Sequence, residues 1–152
     1  MKYIGIDPGK KGSVSIIDDV ENLIVWATPV VGKDYDIGKM FDILNQHKEN
    51  SIVVVERAQA MPKQGVVSMF EFGRGYGIWL GILTAAKIPY QIIHSRVWTK
   101  LMLHGAPGEG KARAFHVASR LFPSWNPKYK YEYEYADSIL LAEYCKRIGF
   151  QD

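Results

Sequence analysis

The chain has 152 residues, 47% of them apolar and 23% charged, with a net charge of +3 and one cysteine, Cys145. This balance is typical of a single globular domain, residues 1–152, and excludes a disordered, fibrous or membrane-spanning chain. One thiol excludes an internal disulfide and a zinc finger, and no secretion-like apolar segment or run of 18 apolar residues occurs, so we expect a cytoplasmic protein.

The first third of the chain predicts an antiparallel meander followed by a helix. Residues 2–6, 13–17 and 23–27 are short strand-like runs separated by turn-forming residues, beginning with Asp7-Pro8-Gly9. The apolar spacing then changes to the helical pattern i, i+3, i+4, i+7, and we expect this helix to stop near Asn50. The residues in that pattern are Ile37, Met40, Phe41 and Leu44.

The rest of the chain predicts helices alternating with strands. Residues 52–55 are apolar throughout, as expected for a strand that is covered on both faces, and this strand ends at Glu56. Residues 90–93 predict a further strand, and Ser95 is a candidate N-cap for a short helix ending at Leu103. We expect further helices over 66–87, 111–122 and about 133–148, and a loop over the tyrosine-rich 124–135.

Three glycines in the predicted long helix are spaced four residues apart. Gly73, Gly77 and Gly81 therefore form one smooth ridge along the helix. Each costs about 1 kcal/mol relative to alanine in a helix, so the ridge predicts close packing against another backbone.

The predicted order of elements brings acidic side chains together. The first and fourth strands can be parallel neighbours, so Asp7 and Glu56 would lie at the carboxyl edge of one sheet, where open α/β sheets bind ligands. Glu134 and Asp137, three residues apart near the start of the last helix, could complete a cluster of four carboxylates. Such a cluster needs neutralisation, and hard oxygen ligands favour Mg²⁺ or Mn²⁺ over zinc.

Positive charge is concentrated in the middle of the chain. Residues 57–130 carry a net charge of +9, and the two flanks together carry −6. A basic region beside a carboxylate cluster favours a polyanion as the binding partner.

Four segments resemble RuvC-type Holliday junction resolvases of the ribonuclease H-like superfamily, of a phage or organellar branch. They are MKYIGIDPGKKGSVSII, IVVVERAQ, FGRGYGIWLGILTAA and YADSILLAEY. The resemblance spans nearly the whole chain. It implies an α/β, ribonuclease H-like fold, namely a five-stranded mixed sheet of three antiparallel strands followed by two parallel strands, with helices on both faces.

The resemblance also implies an activity: a homodimeric endodeoxyribonuclease that makes paired, symmetric nicks in Holliday junctions during DNA recombination or the processing of replication intermediates. Two Mg²⁺ ions per site, replaceable by Mn²⁺, would be held by Asp7, Glu56 and Asp137. Glu134 would join them, although the family usually has Asp or His there. Lys111, with Arg113, matches family residues that face the scissile phosphate. The implied location is the cytoplasm of a bacterium or a phage-infected host, or an organelle matrix.

Several predictions about DNA binding accompany this resemblance. We expect the glycine-ridged helix to form the dimer contact, and basic side chains to bind the phosphates. The candidates for phosphate contact are Lys10, Lys11, Lys63, Arg74, Lys100, Lys111 and Arg113. The tyrosines of 129–135 could stack on unpaired bases, although packing within the protein is the favoured interpretation.

Two other functions stay open. The residues after Glu56 lack the aromatic wedge of some cellular family members, which allows a broader nuclease acting on forks, flaps or three-way branches. A catalytically silent DNA-binding module is the second alternative. An actin-like ATPase is disfavoured because 152 residues provide only one lobe.

Overall fold

The computed structural model describes residues 1–149, which form a mixed five-stranded sheet with helices on both faces. In chain order the elements are β1 (Lys2–Asp7), β2 (Ser13–Asp18), β3 (Leu23–Ala27), β4 (Val30–Val31), β5 (Asp34–Tyr35), α1 (Ile37–His47), β6 (Ser51–Glu56), α2 (Val66–Ala85), β7 (Tyr90–Ile93), α3 (Ser95–Met102), α4 (Gly110–Leu121), a 3-10 helix (Lys130–Tyr135) and α5 (Ala136–Ile148).

The sheet has the strand order β3-β2-β1-β6-β7. The first three strands pair antiparallel, whereas β6 and β7 run parallel to β1, so the predicted fold class is confirmed. Ile6 lies opposite Val55 in the β1–β6 register. Asp7 and Glu56 are the next residues of the two strands and therefore leave the sheet side by side at its carboxyl edge.

Each face of the sheet has its own hydrophobic core. One core, with Val54 from β6, packs beneath α3, α4 and α5. The other, with Val53 and Val55, packs beneath α1 and α2. Because successive strand residues point to opposite faces, the uninterrupted valines of β6 supply both cores.

Helix α5 lies directly against the backbone of β1. A Cβ atom added at Gly5 would lie 2.3 Å from the Ser138 carbonyl oxygen and 2.4 Å from the Ala142 nitrogen. Only glycine fits at this crossing, and the close approach brings the first turn of α5 to the end of β1. Further along α5, the buried Cys145 thiol lies 3.8 Å from the Ile52 carbonyl oxygen, and burial raises its pKa to about 12.

Several boundaries differ from the prediction. The tyrosine-rich segment predicted as a loop contains the 3-10 helix, and α5 therefore begins at Ala136 rather than near residue 133. His94, not Ser95, caps α3, because its side chain accepts a hydrogen bond from the Arg96 amide. The periodicity also missed the small β4–β5 hairpin, whose two-residue strands are too short to show alternation.

The longest helix, α2, has 20 residues and a strongly apolar composition. Even so, no helix within residues 1–149 combines the length and hydrophobicity needed to cross a lipid bilayer.

Candidate active site

Four carboxylates and one lysine influence one another electrostatically at the carboxyl edge of the sheet. The pKa of Asp7 responds to the charges of Asp137, Glu56, Glu134 and Lys111. The pKa of Asp137 responds to those of Glu56, Glu134 and Lys111. The fold therefore brings the predicted acidic residues within electrostatic reach of one another, although they come from β1, β6, the 3-10 helix and α5.

Buried hydroxyl groups fix the start of α5 beside β2. The Oγ atoms of Ser13 and Ser15 each lie 2.6 Å from Ser138 Oγ, and the Ser138 hydroxyl donates to the Tyr135 carbonyl at 3.1 Å. All three serines are buried, so these hydrogen bonds replace lost contacts with water. Asp137 is the neighbour of Ser138 and is held at the site by this anchor.

The environment of the site favours protonated carboxyls in the metal-free protein. Loss of hydration raises the pKa of Asp7 well above its usual value, and repulsion from Asp137 and Glu56 adds to the shift. Loss of hydration, followed by repulsion from Glu56, raises the pKa of Asp137 to about 7. Desolvation also raises the pKa of Glu56. A cation bound at the site would favour the charged carboxylates and lower these pKa values again.

Trp98 holds Glu56 in place. Its indole Nε1 donates a hydrogen bond of 2.6 Å to Glu56 Oε2, and the ring is only 2% exposed in the core beneath α3. The bond fixes one carboxylate oxygen and opposes the rise in the pKa of Glu56. Glu56 also lines a cleft of about 290 Å³ together with Asp137.

Lys111 stands between the carboxylates. Its Nζ lies 2.6 Å from Glu134 Oε1, and its side chain is 67% exposed. It borders a cleft of about 520 Å³ that contains Asp7 and Glu134, and also a cleft of about 290 Å³ that contains Glu56 and Asp137. The ammonium lowers the pKa of both Asp7 and Asp137 and so partly offsets the mutual repulsion of the acids.

The donor chemistry of these residues fits a hard divalent cation. All four acids offer carboxylate oxygens, the ligands that Mg²⁺ and Mn²⁺ prefer. Within residues 1–149, however, no three His, Cys, Asp or Glu side chains converge closely enough to hold a metal ion as they stand. Of the four acids, Glu134 pairs directly with the ammonium group of Lys111.

The predicted phosphate-binding residues divide into those without an ion pair and those that already bind another group of the protein. Lys11, Lys63 and Lys100 are exposed and form no ion pair with any other part of the described chain, 1–149. Arg113 donates to the Leu103 carbonyl, and Lys111 pairs with Glu134.

Lys10 and Arg74 have protein partners of their own. Both pair with Glu71, at 2.8 Å and 2.9 Å respectively, and Arg74 also pairs with Asp34. Both cations lie over the Tyr35 ring, so they fasten the β4–β5 hairpin to α2. Their positive charge is largely matched within the protein, and two of the pairs, Lys10–Glu71 and Arg74–Asp34, join residues that are distant in sequence.

The tyrosine row does not pack as one unit. Tyr133 stacks on Phe115, with ring centroids 4.1 Å apart, whereas Tyr129 and Tyr131 are 58% and 63% exposed. Packing within the protein, the favoured interpretation, therefore describes Tyr133 and not the two tyrosines before it.

Sequence reasoning missed Trp98 and the three serines as parts of the site. Trp98 had the spacing of a core residue, and its bond to Glu56 joins residues 42 positions apart. Ser13 and Ser15 alternate with apolar residues inside a strand. This pattern places two hydroxyl groups on one buried face, and it was the feature of the sequence that could have indicated a buried hydrogen-bonding partner.

The strand order and the two helical layers define an α/β protein with a ribonuclease H-like fold. No family model matches the sequence, and no curated protein matches it. Solved structures do match over nearly the whole chain. Thermus thermophilus RuvC is 16% identical, with a TM-score of 0.66 over 98% of this chain and 97% of the other.

Two further structures agree. T. thermophilus RuvC in complex with a Holliday junction substrate has a TM-score of 0.67 at 16% identity, covering 98% of this chain and 96% of that one. The yeast mitochondrial Holliday junction resolvase Ydc2 has a TM-score of 0.53 at 15% identity, covering 91% and 76%. The resemblance to RuvC-type proteins is thereby confirmed at the level of the fold.

Proposed function

We propose that this protein is a metal-dependent endodeoxyribonuclease that resolves Holliday junctions by paired, symmetric phosphodiester cleavage. The observation that carries the proposal is that Asp7, Glu56, Glu134 and Asp137 are electrostatically coupled and line two clefts that share Lys111. It is supported by the fold, which this chain shares with a RuvC protein whose structure includes a Holliday junction substrate.

The four carboxylates would hold two Mg²⁺ ions, with Mn²⁺ as a substitute. Such ions, when bound, supply an activated water and stabilise the leaving 3′ oxygen. Glu56 enters this arrangement with one oxygen already fixed by Trp98. Asp7 and Asp137 are fixed by the end of β1 and by the serine anchor at the start of α5.

Lys111 would bind the scissile phosphate. Its side chain is mostly exposed and its partner Glu134 is a candidate metal ligand, so Lys111 can exchange a carboxylate for a phosphate oxygen when Glu134 turns to a cation. The exposed Lys11, Lys63 and Lys100 would contact neighbouring phosphates and make affinity dependent on salt.

Symmetric cleavage requires a second active site, which a homodimer would provide. Helix α2 supports this part of the proposal. Val66, Val67 and Phe70 are 84%, 75% and 68% exposed, and Cβ atoms added at Gly73, Gly77 or Gly81 would meet nothing within 4 Å. An apolar face with a smooth ridge would allow two helices to approach closely across a two-fold axis.

Broader action on branched DNA is the second candidate. The segment after Glu56 contains Ala58, Ala60 and Met61, and Met61 is 60% exposed. Small or flexible side chains replace a rigid aromatic wedge there, which favours acceptance of forks, flaps and three-way branches. A silent DNA-binding module remains an outcome of the test.

The test compares Asp7→Asn with a matched control, Asp42→Asn, on synthetic four-way, three-way, fork and flap substrates. Asp42 is exposed on α1, on the other face of the sheet. We expect Mg²⁺- or Mn²⁺-dependent nicks at symmetric positions in the four-way junction, unchanged by Asp42→Asn. Asp7→Asn should abolish cutting while junction binding persists.

Three results would contradict the proposal in different ways. Cutting by the Asp7→Asn protein would remove Asp7 from the site. Equal cutting of all branched substrates would favour the broader nuclease. Tight binding without metal-dependent nicking would favour the silent module.

A further inference from the structure

An aromatic cleft opens beside the carboxylates. It has a volume of about 650 Å³ and a mostly apolar wall. Its lining residues are Lys111, Ala112, Phe115, Lys130, Tyr131, Tyr133 and Glu134. We refer to it as the tyrosine cleft.

The rings of the tyrosine cleft rest on a rigid support. Tyr133 stacks on Phe115, and Phe115 contacts Trp125 edge-on with centroids 5.5 Å apart. The 3-10 helix is fixed at its start, where the Tyr129 amide donates to Glu132 Oε2 at 2.7 Å. The aromatic wall is therefore held in place before any ligand arrives, which lowers the entropy lost on binding.

Two rings face water at the edge of this support. Tyr129 and Tyr131 are parallel within 6°, with centroids 5.5 Å apart, and both are more than half exposed. A flat pair of exposed rings offers a stacking surface to another planar group.

Charge identifies the kind of ligand that suits the cleft. Lys111 and Lys130 supply positive charge, and the carboxylate Glu134 is already paired with Lys111. Lys111 and Glu134 also line the cleft that contains Asp7, so the two clefts are adjacent. A ligand that suits both features has a planar apolar part and an adjacent anion, as a nucleotide does.

We propose that the tyrosine cleft binds the base of an unpaired nucleotide in the DNA strand whose phosphate lies at the carboxylates. The inference rests on the proposed function and adds a base-binding subsite to it. Base pairs are most easily opened at a branch point, so the subsite would select strands that can release a base there. Tyr131 would stack on the base, and Lys130 would contact its phosphate.

The experiment uses a four-way junction with 5-iodouracil placed singly at each position near the branch point. Ultraviolet light joins this base to an aromatic ring stacked on it. EDTA prevents cutting during the measurement. For the wild-type protein we expect a crosslink from one of these positions to Tyr131 or Tyr129, identified by mass spectrometry of the joined peptide.

Three variants give the comparison. Tyr131→Leu keeps an apolar side chain but removes the ring, and we expect it to lose the crosslink and to bind the junction about tenfold more weakly. Tyr131→Phe should retain both properties. The matched control is Phe41→Ala, which removes a 41%-exposed ring from α1 on the other face of the sheet and should change neither.

A fully paired duplex of equal length separates base stacking from general loss of affinity. Tyr131→Leu should bind that duplex as the wild type does. Crosslinks mapping elsewhere, or an equal loss on duplex and junction, would overturn the inference while leaving junction cutting intact. A wild-type protein that binds no branched DNA would overturn the proposed function and the inference together.

Discussion

Helices α5 and α2 cover opposite faces of the same sheet, yet the rest of the chain buries them to very different degrees. Eight of the 13 residues of α5 are buried, and its backbone touches β1 at Gly5. In α2 only four of 20 residues are buried, and large apolar side chains such as Val66 and Phe70 face outward.

This difference in burial indicates different roles for the two helices. The position of α5 is fixed entirely by contacts within one chain, so the acids near it keep their places without a partner. The outer face of α2 is apolar but uncovered within residues 1–149, which is typical of a surface that another molecule covers. The proposed metal ligand Asp137 therefore lies on a helix that the rest of the chain covers, whereas the outer face of α2 is the proposed surface for dimer formation.

Replacement of Gly5 by alanine tests the packing of α5 against β1 and should have the largest effect on stability. The new Cβ would lie 2.3 Å from a backbone oxygen of α5, so helix and strand must separate. We expect a loss of unfolding free energy of about 3 kcal/mol or more, measured by urea denaturation. A Gly5→Ala protein of normal stability would show that α5 is less tightly fixed than its contacts indicate.

Trp98→Phe tests whether the same core positions a catalytic group. The variant keeps an aromatic ring but removes the donor to Glu56 Oε2. We expect DNA cleavage to fall about 10- to 100-fold, in kcat more than in KM, with a higher Mn²⁺ concentration needed for half-maximal rate.

Trp26→Phe is the matched control, because Trp26 is 41% exposed on β3. It should cut normally. If Trp98→Phe lowers the melting temperature but leaves the metal dependence unchanged, Trp98 serves packing alone.

Asp137→Asn tests the electrostatic strain at the start of α5. In the folded protein the pKa of Asp137 is raised from 3.8 to about 7, so folding takes up a proton between these values and stability falls as pH rises through that window. Removal of the charge should stabilise the metal-free protein at pH 8 by on the order of 1 kcal/mol, or about 2–4 °C in melting temperature. The gain should vanish towards pH 4.

Thermal melts in EDTA at several pH values would measure this effect. The matched variant Asp42→Asn, on the exposed surface of α1, should give no pH-dependent gain. A gain from Asp137→Asn that is the same at every pH would contradict a charge-based origin.

Gly77→Ala tests the exposed face of α2 and should have the smallest effect on folding stability. The added methyl meets nothing within 4 Å and improves helix propensity by about 1 kcal/mol, so the isolated chain should become slightly more stable. If α2 forms the dimer contact, the same methyl should raise the dimer dissociation constant, as measured by sedimentation over a range of concentrations. An unchanged dimer would place the contact elsewhere.

Local patterns predicted the sheet and most helices. Alternation, uninterrupted apolar runs and helical spacing are properties of neighbouring residues, and they determined β1, β2, β3, β6 and the positions of Asp7 and Glu56 at the strand ends. The 3-10 helix was missed because Tyr129 to Tyr135 alternate without a helical period and the nearby Pro123 and Pro127 favoured a loop. The structure there depends on Phe115 and on the start of α5.

The pairing of side chains was harder to predict than the positions of the strands and helices. Arg74, within residues 57–130, and Lys10, near the start of the chain, were predicted to bind phosphate, but the fold brings Asp34 to Arg74 and Glu71 to Lys10. Glu71 also lies three residues before Arg74 on α2, a pairing that helical spacing alone allows. Trp98 and Glu56 likewise meet only after folding. Such pairings depend on long-range geometry, which residue spacing does not contain.

The burial of Cys145 offers a practical benefit for labelling. With a thiol pKa of about 12, almost no thiolate exists near neutral pH, so maleimide dyes should leave the folded chain unmodified. A cysteine introduced on an exposed helix position, such as Phe41→Cys, would then be the only reactive group. Fluorophores attached in this way could follow subunit exchange and junction opening without removal of the native sulfur.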